Sequence, residues 1–169
     1  MKTHDTTTIN NSLSPNPKLM LLACIAICEA TGILSALLAG SFQTSWFENL
    51  AKPSWFPPPA VFGPVWTVLY LLMGIALWLV WKQNSTSNRT AELFFATQLF
   101  LNFWWSIIFF RFHAPGVAYA DILLMIVMVV VTMVKFSKIS RPAMFLLLPY
   151  LVWIIFASFL NLSIWLMNS

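Results

Sequence analysis

Five apolar stretches succeed one another along the chain, at approximately Leu19–Gly40, Phe62–Trp81, Leu93–Phe112, Val117–Phe136 and Ala143–Met167. Each is close to the ~20 residues that carry an α-helix across ~30 Å of hydrocarbon at ~1.5 Å per residue. A membrane β-barrel would need alternating strands of about ten residues, and no such alternation occurs. The pattern predicts an all-α integral membrane protein, a bundle of five transmembrane helices. Residues 18–169 make up that membrane domain. Residues 1–17, rich in Thr, Asn and Ser, are expected to be a disordered polar tail. The first apolar run is long enough to span, so it is expected to be a retained helix and not a signal segment.

The connections are short except one. Residues 41–61 contain Trp46, Pro53, Trp55 and the run Pro57-Pro58-Pro59. Proline removes backbone donors and fixes φ, so this segment is expected to follow a stiff, extended path. Its apolar side chains suit a lid packed over the mouth of the bundle. Residues 82–92 are polar and predict an exposed turn, and Pro142 predicts a helix restarting in its first turn.

Five spans place the termini on opposite sides, and the basic residues divide accordingly. Lys2, Lys18, Lys82, Arg89, Lys135, Lys138 and Arg141 fall on the N-terminal side, and only Lys52 and Arg111 on the other. The positive-inside rule then puts the N-terminus in the cytoplasm, with the lid and the C-terminus opposite. Composition agrees, at 60% hydrophobic and 8% charged, against about 25% charged in a soluble domain. The net charge of +4 does not gather into a basic stripe, so nucleic acid is not an expected partner; the bilayer is.

Polar groups at membrane depth usually face the bundle interior. Helical spacing puts Gln98, Asn102, Trp105 and Ser106 on one face, and Tyr150, Trp153, Ala157 and Asn161 on another. A third face carries Trp66, Tyr70, Met73 and Gly74. If the three converge they enclose a space lined by indoles, amides and hydroxyls, with Gly74 and Ala157 leaving room between the rings. Trp66, Trp105 and Trp153 are the site candidates. Trp78, Trp81 and Trp165 lie near helix ends and suit an interfacial belt, while Trp104 is expected to face lipid. Asn102 and Asn161 could touch a ligand or only bridge helices.

Glu29 is the one carboxylate well inside a span. It is either a proton carrier or a neutral acid hydrogen-bonded to a neighbouring helix. Asp121 is placed to cap its helix or to pair with Arg111. Cys24 and Cys28 are expected to be free buried thiols. His113 has no second ligand at metal spacing, so no metal site is expected. Gly32, Ala36 and Gly40 recur every four residues, suiting close packing within the bundle or a dimer seam. No nucleophile–base motif or phosphate-binding glycine loop is present.

Trp46-Phe47-Glu-Asn-Leu50-Ala-Lys52-Pro53-Ser54-Trp55-Phe-Pro57-Pro58 and Phe62-Gly-Pro64-Val65-Trp66-Thr-Val-Leu69-Tyr70-Leu-Leu-Met73-Gly74 resemble the TspO/MBR family. So do the stretches from Gln98 through Asn102 and Trp105 to Phe110, and from Leu148 through Trp153 and Ala157 to Asn161. These are the tryptophan-rich sensory proteins, related to the mitochondrial translocator protein. The resemblance implies a five-helix bundle, commonly a homodimer. It implies binding of porphyrins such as protoporphyrin IX, and of benzodiazepine-type ligands, in a pocket closed by the loop between the first two spans. Positions matching the family pocket are Trp46, Phe47, Leu50, Pro53, Trp66, Asn102, Trp105, Trp153, Ala157 and Leu160.

The chain departs from the family in several places. Phe47 stands where many members have Tyr, and the aromatic often found near Ala60 is absent. Phe103 and Trp104 replace small residues that help the third span self-associate. No basic residue follows Arg141, so the sterol pattern is not carried over. No obligatory cofactor is expected; the porphyrin is a ligand.

A porphyrin is an apolar disc bearing propionates, which suits aromatic faces and a cation at the mouth. Lys52 and Arg111 are the candidates to pair with the propionates. Three functions follow as expectations: a sensor for tetrapyrroles in a bacterial inner membrane, a proton-coupled transporter using Glu29, or a light-dependent porphyrin-degrading enzyme in which Trp66 and Trp153 act photochemically.

Overall fold

The computed structural model describes residues 16–40, 45–83 and 88–169. Helix α1 runs Pro17–Ala39 and a short α2 covers Ser45–Asn49. A 3₁₀ turn, Pro59–Val61, leads into α3, Phe62–Trp81. Helix α4, Asn88–Ser106, continues as a π-helical turn over Ile107–Arg111. Helices α5 (Pro115–Ser137), α6 (Arg141–Leu146) and α7 (Leu148–Met167) complete the chain. With α6 and α7 taken together, five units of 23 to 27 residues have mean hydropathy of 1.6 to 2.5. Length and composition suit five membrane crossings.

Local chemistry accounts for the helix ends. Of the expected tail, only Asn16 and Pro17 lie within the described residues, and they open α1. The Asn16 side chain accepts from Lys18 N at 3.0 Å, and Pro17 occupies a position where no N–H is needed. Gly40 ends α1 at φ 89°, a conformation that other residues adopt only with strain. Pro115 opens α5 two residues after His113, whose φ is 53°.

Three expectations need correcting. The segment 41–61 is not extended throughout, since Ser45–Asn49 is helical and Pro59–Val61 is a 3₁₀ turn. Helix α4 begins at Asn88, ahead of the expected Leu93, because the Asn88 side chain donates to Val80 O at 2.9 Å and ties the helix start to the end of α3. The last span is two helices broken at Leu147. Pro149 has no N–H to offer the carbonyl four residues back, so the helix interrupts there.

Around the bundle, α1 packs on α3, α3 on α6, α6 and α7 on α5, α5 on α4, and α4 back on α1. Where α3 ends and α6 begins, the interior is solid: Cys24, Met73, Val80, Met125, Phe136 and Leu147 have essentially no exposure. Gly74 makes the α1–α3 approach possible, because a Cβ there would lie 2.6 Å from Ile25 Cα. It therefore serves helix packing and leaves no room between rings, contrary to its expected role. At the other end α3 and α7 touch only sparsely, and a second cluster built on Phe47, Phe109 and Phe110 gathers there. Outward-facing Leu22, Leu38, Phe100, Val152 and Phe159 are exposed, as contact with acyl chains requires.

Candidate functional site

The splay between α3 and α7 holds a cavity of about 960 Å³, in the range of small-molecule sites. Trp66 and Tyr70 of α3, Trp105 of α4 and Trp153 of α7 all line it. Each occupies the inward face that its helical spacing implied. Trp66 stacks on Tyr70, with centroids 5.5 Å apart at 29°. Trp105 stacks on Phe109 at 5.5 Å and 26°. Such offset pairs fix ring orientation while leaving other faces free.

Two amides hold these rings in place. Asn161 Oδ1 accepts from Trp105 Nε1 at 3.1 Å, and its Nδ2 donates to Pro115 O at 2.8 Å, tying α4, α5 and α7 together. Below the cavity the Tyr70 hydroxyl donates to Asn102 Oδ1. Asn102 Nδ2 donates to the Tyr150 hydroxyl at 3.1 Å, which donates to Met125 Sδ at 3.2 Å. Asn102 thus bridges helices beneath the floor and does not line the cavity itself, whereas Asn161 does both. Buried amides of this kind are stable only when partnered. The Trp153 indole Nε1 is buried without a partner, a donor unused by the protein.

The lid closes the open end. Phe47 of α2 is 3% exposed and sets its ring edge-on to Phe110 at 5.3 Å. Phe56 stacks on Phe62 at 5.6 Å, and Phe62 meets Trp153 edge-on at 5.8 Å. The far end of the chain fastens the lid: Asn168 Oδ1 accepts from Ala51 N at 2.9 Å, and Asn168 Nδ2 donates to Ala51 O at 3.0 Å.

Of the pocket positions implied by resemblance, Phe47, Trp66, Trp105, Trp153, Ala157 and Leu160 line the cavity. Trp46, Leu50 and Pro53 belong to the lid but not to the cavity wall. Trp46 stacks on His113 at 4.1 Å and 15°, and Leu50 packs behind Phe47. Lys52 has another task than expected. Its ammonium donates to the carbonyls of Phe47, Glu48 and Leu50, capping α2, and lies 4.6 Å from the Phe47 ring centroid. Arg111 is exposed at the lid end, off the cavity wall. Asp121 neither caps α5 nor pairs with Arg111; its Oδ2 is buried without a partner. Cys24 and Cys28 are free buried thiols.

Sequence reasoning missed Phe56, Phe62, Phe109 and Phe110 as cavity residues. Phe109 and Phe110 lie four positions after Trp105 and Ser106, so one more turn of the same helical stripe leads to both. The π-helical turn widens the helix locally and keeps both on the cavity side. It also missed that Glu29 and Gly32 form part of the wall. A Cβ on Gly32 would collide with the Tyr70 ring, so this member of the small-residue series serves packing within the bundle.

The model of the TspO/MBR family matches residues 24–166. The chain belongs to that family. A TspO/MBR member from Chlorobaculum tepidum, the tryptophan-rich protein TspO, is 40% identical over 90% of this chain and 99% of its own. The protein of the same name from Archaeoglobus fulgidus is 39% identical over 89% of this chain and 98% of its own. The human translocator protein is 40% identical over 71% of this chain and 73% of its own. The TspO/MBR architecture and the five apolar helices together make this a multi-pass membrane protein.

Proposed function

We propose that this protein is a membrane receptor for porphyrins, protoporphyrin IX and haem-type tetrapyrroles foremost, and for related flat aromatic molecules, serving tetrapyrrole handling or stress signalling. One observation carries the reading: indoles from three helices, Trp66, Trp105 and Trp153, line a single cavity of about 960 Å³ beneath an aromatic lid. Flat π-faces in an apolar space bind a flat apolar disc. The propionates sit at the lid end, where Arg111 is the cation free to meet them, since Lys52 is committed to carbonyls.

The charge distribution supports one orientation. The basic residues near the end opposite the lid, Lys18, Lys82, Arg89, Lys135, Lys138 and Arg141, favour a reading in which that end faces the cytoplasm of a bacterial inner membrane. The protein acts there as a homodimer.

The test is a titration of the purified chain in detergent with protoporphyrin IX in the dark, followed by tryptophan fluorescence. Saturable quenching, weakened at least about fivefold in a Trp66→Ala/Trp153→Ala variant, is the expected result, a loss of about 1 kcal/mol. Quenching that does not saturate, or that the double variant leaves unchanged, refutes it. Illuminating the saturated sample separates binding from breakdown, because only breakdown bleaches the porphyrin band.

A further inference from the structure

The cavity wall carries one carboxylate, Glu29, and no Lys, Arg or His among the described residues. Glu29 lies near the middle of the 23-residue α1, about 15 Å below the lid end at 1.5 Å per residue. It is half-buried and makes no hydrogen bond or ion pair with a described residue. Two close approaches fix what it faces. The backbone of Ile25 meets Gly74, and Gly32, one turn beyond Glu29, lies against the Tyr70 ring. Glu29 falls between these contacts, level with Tyr70, whose ring is stacked on Trp66.

A carboxylate sharing a cavity wall with two electron-rich rings is a combination that holds an organic ammonium, by ion pairing together with cation–π attraction. An unpaired carboxylate at membrane depth is costly, and a cation brought by a ligand offsets that cost. From this juxtaposition we infer that the deep end of the cavity is a subsite for the ammonium group of a lipophilic aromatic amine, with Glu29 as its counter-ion and Trp66 and Tyr70 as its walls. The inference rests on the aromatic-cavity reading above and deepens it. The cavity has two ends of different preference: anionic propionates stay at the lid, and cations go to the floor. On α1, Gly32, Ile33, Ala36 and Leu37 share this wall with Glu29.

The test compares imipramine, a tricyclic tertiary amine, with iminodibenzyl, the same ring system without the amine. Binding to the full chain in nanodiscs is read by tryptophan quenching. In wild type imipramine is expected to bind at least about tenfold more tightly than iminodibenzyl. In Glu29→Gln, which keeps the shape and removes the charge, the two ligands are expected to come within about twofold of each other. Glu29→Asp keeps the charge on a shorter arm and is expected to retain an intermediate preference. It also decides the matter should Glu29→Gln fail to fold. Equal binding of both ligands by wild type overturns the subsite and leaves the cavity reading standing. So does a full preference surviving in Glu29→Gln. Failure of wild type to bind either ligand, or protoporphyrin IX, overturns the cavity reading and the subsite together.

Discussion

The two halves of this bundle are built from the same kinds of residue and do opposite things. In the half where α3 ends and α6 begins, small residues bring helices together: Gly74 admits the backbone of Ile25, and Met73, Val80 and Phe136 fill what remains. In the lid half, Ala157, Gly63 and Gly40 stand beside open space, and a Cβ on either glycine would meet nothing within 4 Å. A small side chain is therefore a packing device in one half and an absence of filler in the other. What separates the halves is the layer of Tyr70, Asn102 and Tyr150, whose hydrogen bonds join α3, α4 and α7 at the level where α3 and α7 diverge. Bonded rings that cannot shift sideways make a floor.

If the lower half is close-packed, Gly74→Val is expected to destabilise the protein by about 3 kcal/mol, because the obstacle is a backbone atom that cannot rotate away. Thermal unfolding in detergent measures it, and a near-neutral result would mean that the half is loose. At the dividing layer, Asn102→Leu strands the Tyr70 hydroxyl, removes the donor to the Tyr150 hydroxyl, and is expected to cost about 2 kcal/mol by the same assay. Adding Tyr70→Phe and Tyr150→Phe should recover part of that loss, since no polar group then lacks its partner.

The hollow half should answer differently. Ala157→Phe fills space that is empty, so its stability is expected to stay within about 1 kcal/mol of wild type. Its protoporphyrin affinity is expected to fall at least about tenfold. A loss of stability without a loss of affinity would move the ligand elsewhere. The smallest effect concerns the lid. Asn168→Ala removes both bonds to Ala51 and is expected to raise ligand dissociation about threefold in stopped-flow quenching, with little change in association.

Much of this was legible in the linear order of residues. Trp66, Trp105 and Trp153 share faces with polar groups at helical spacing, and that alone pointed them inward. Where a residue's role depended on its partner, legibility ended. Lys52 looked like a free cation because it and Arg111 are the only basic residues on the lid side, yet the carbonyls exposed by the end of α2 claim it. Asn102 and Asn161 carry the same amide, each within a membrane-spanning helix. One sits under the floor between two tyrosines and the other reaches both the cavity and Pro115. Phe110, four positions after Ser106, was within reach of helical spacing, and the π-helical turn only adjusts how it faces the cavity. Asn168 lies 117 positions from Ala51, and nothing local connects them.

Residue order alone determined the class of solvent, the number of crossings and the inward face of each helix. These follow from transfer free energy and helical periodicity, which act on each segment independently. Only the assembled bundle decided that the middle is hollow at one end and solid at the other. It also decided that Gly74 closes a gap while Ala157 leaves one, and that Glu29 faces an unfilled space level with Tyr70. Those outcomes depend on which backbone lies opposite which side chain, and that is a relation between segments, absent from any one of them.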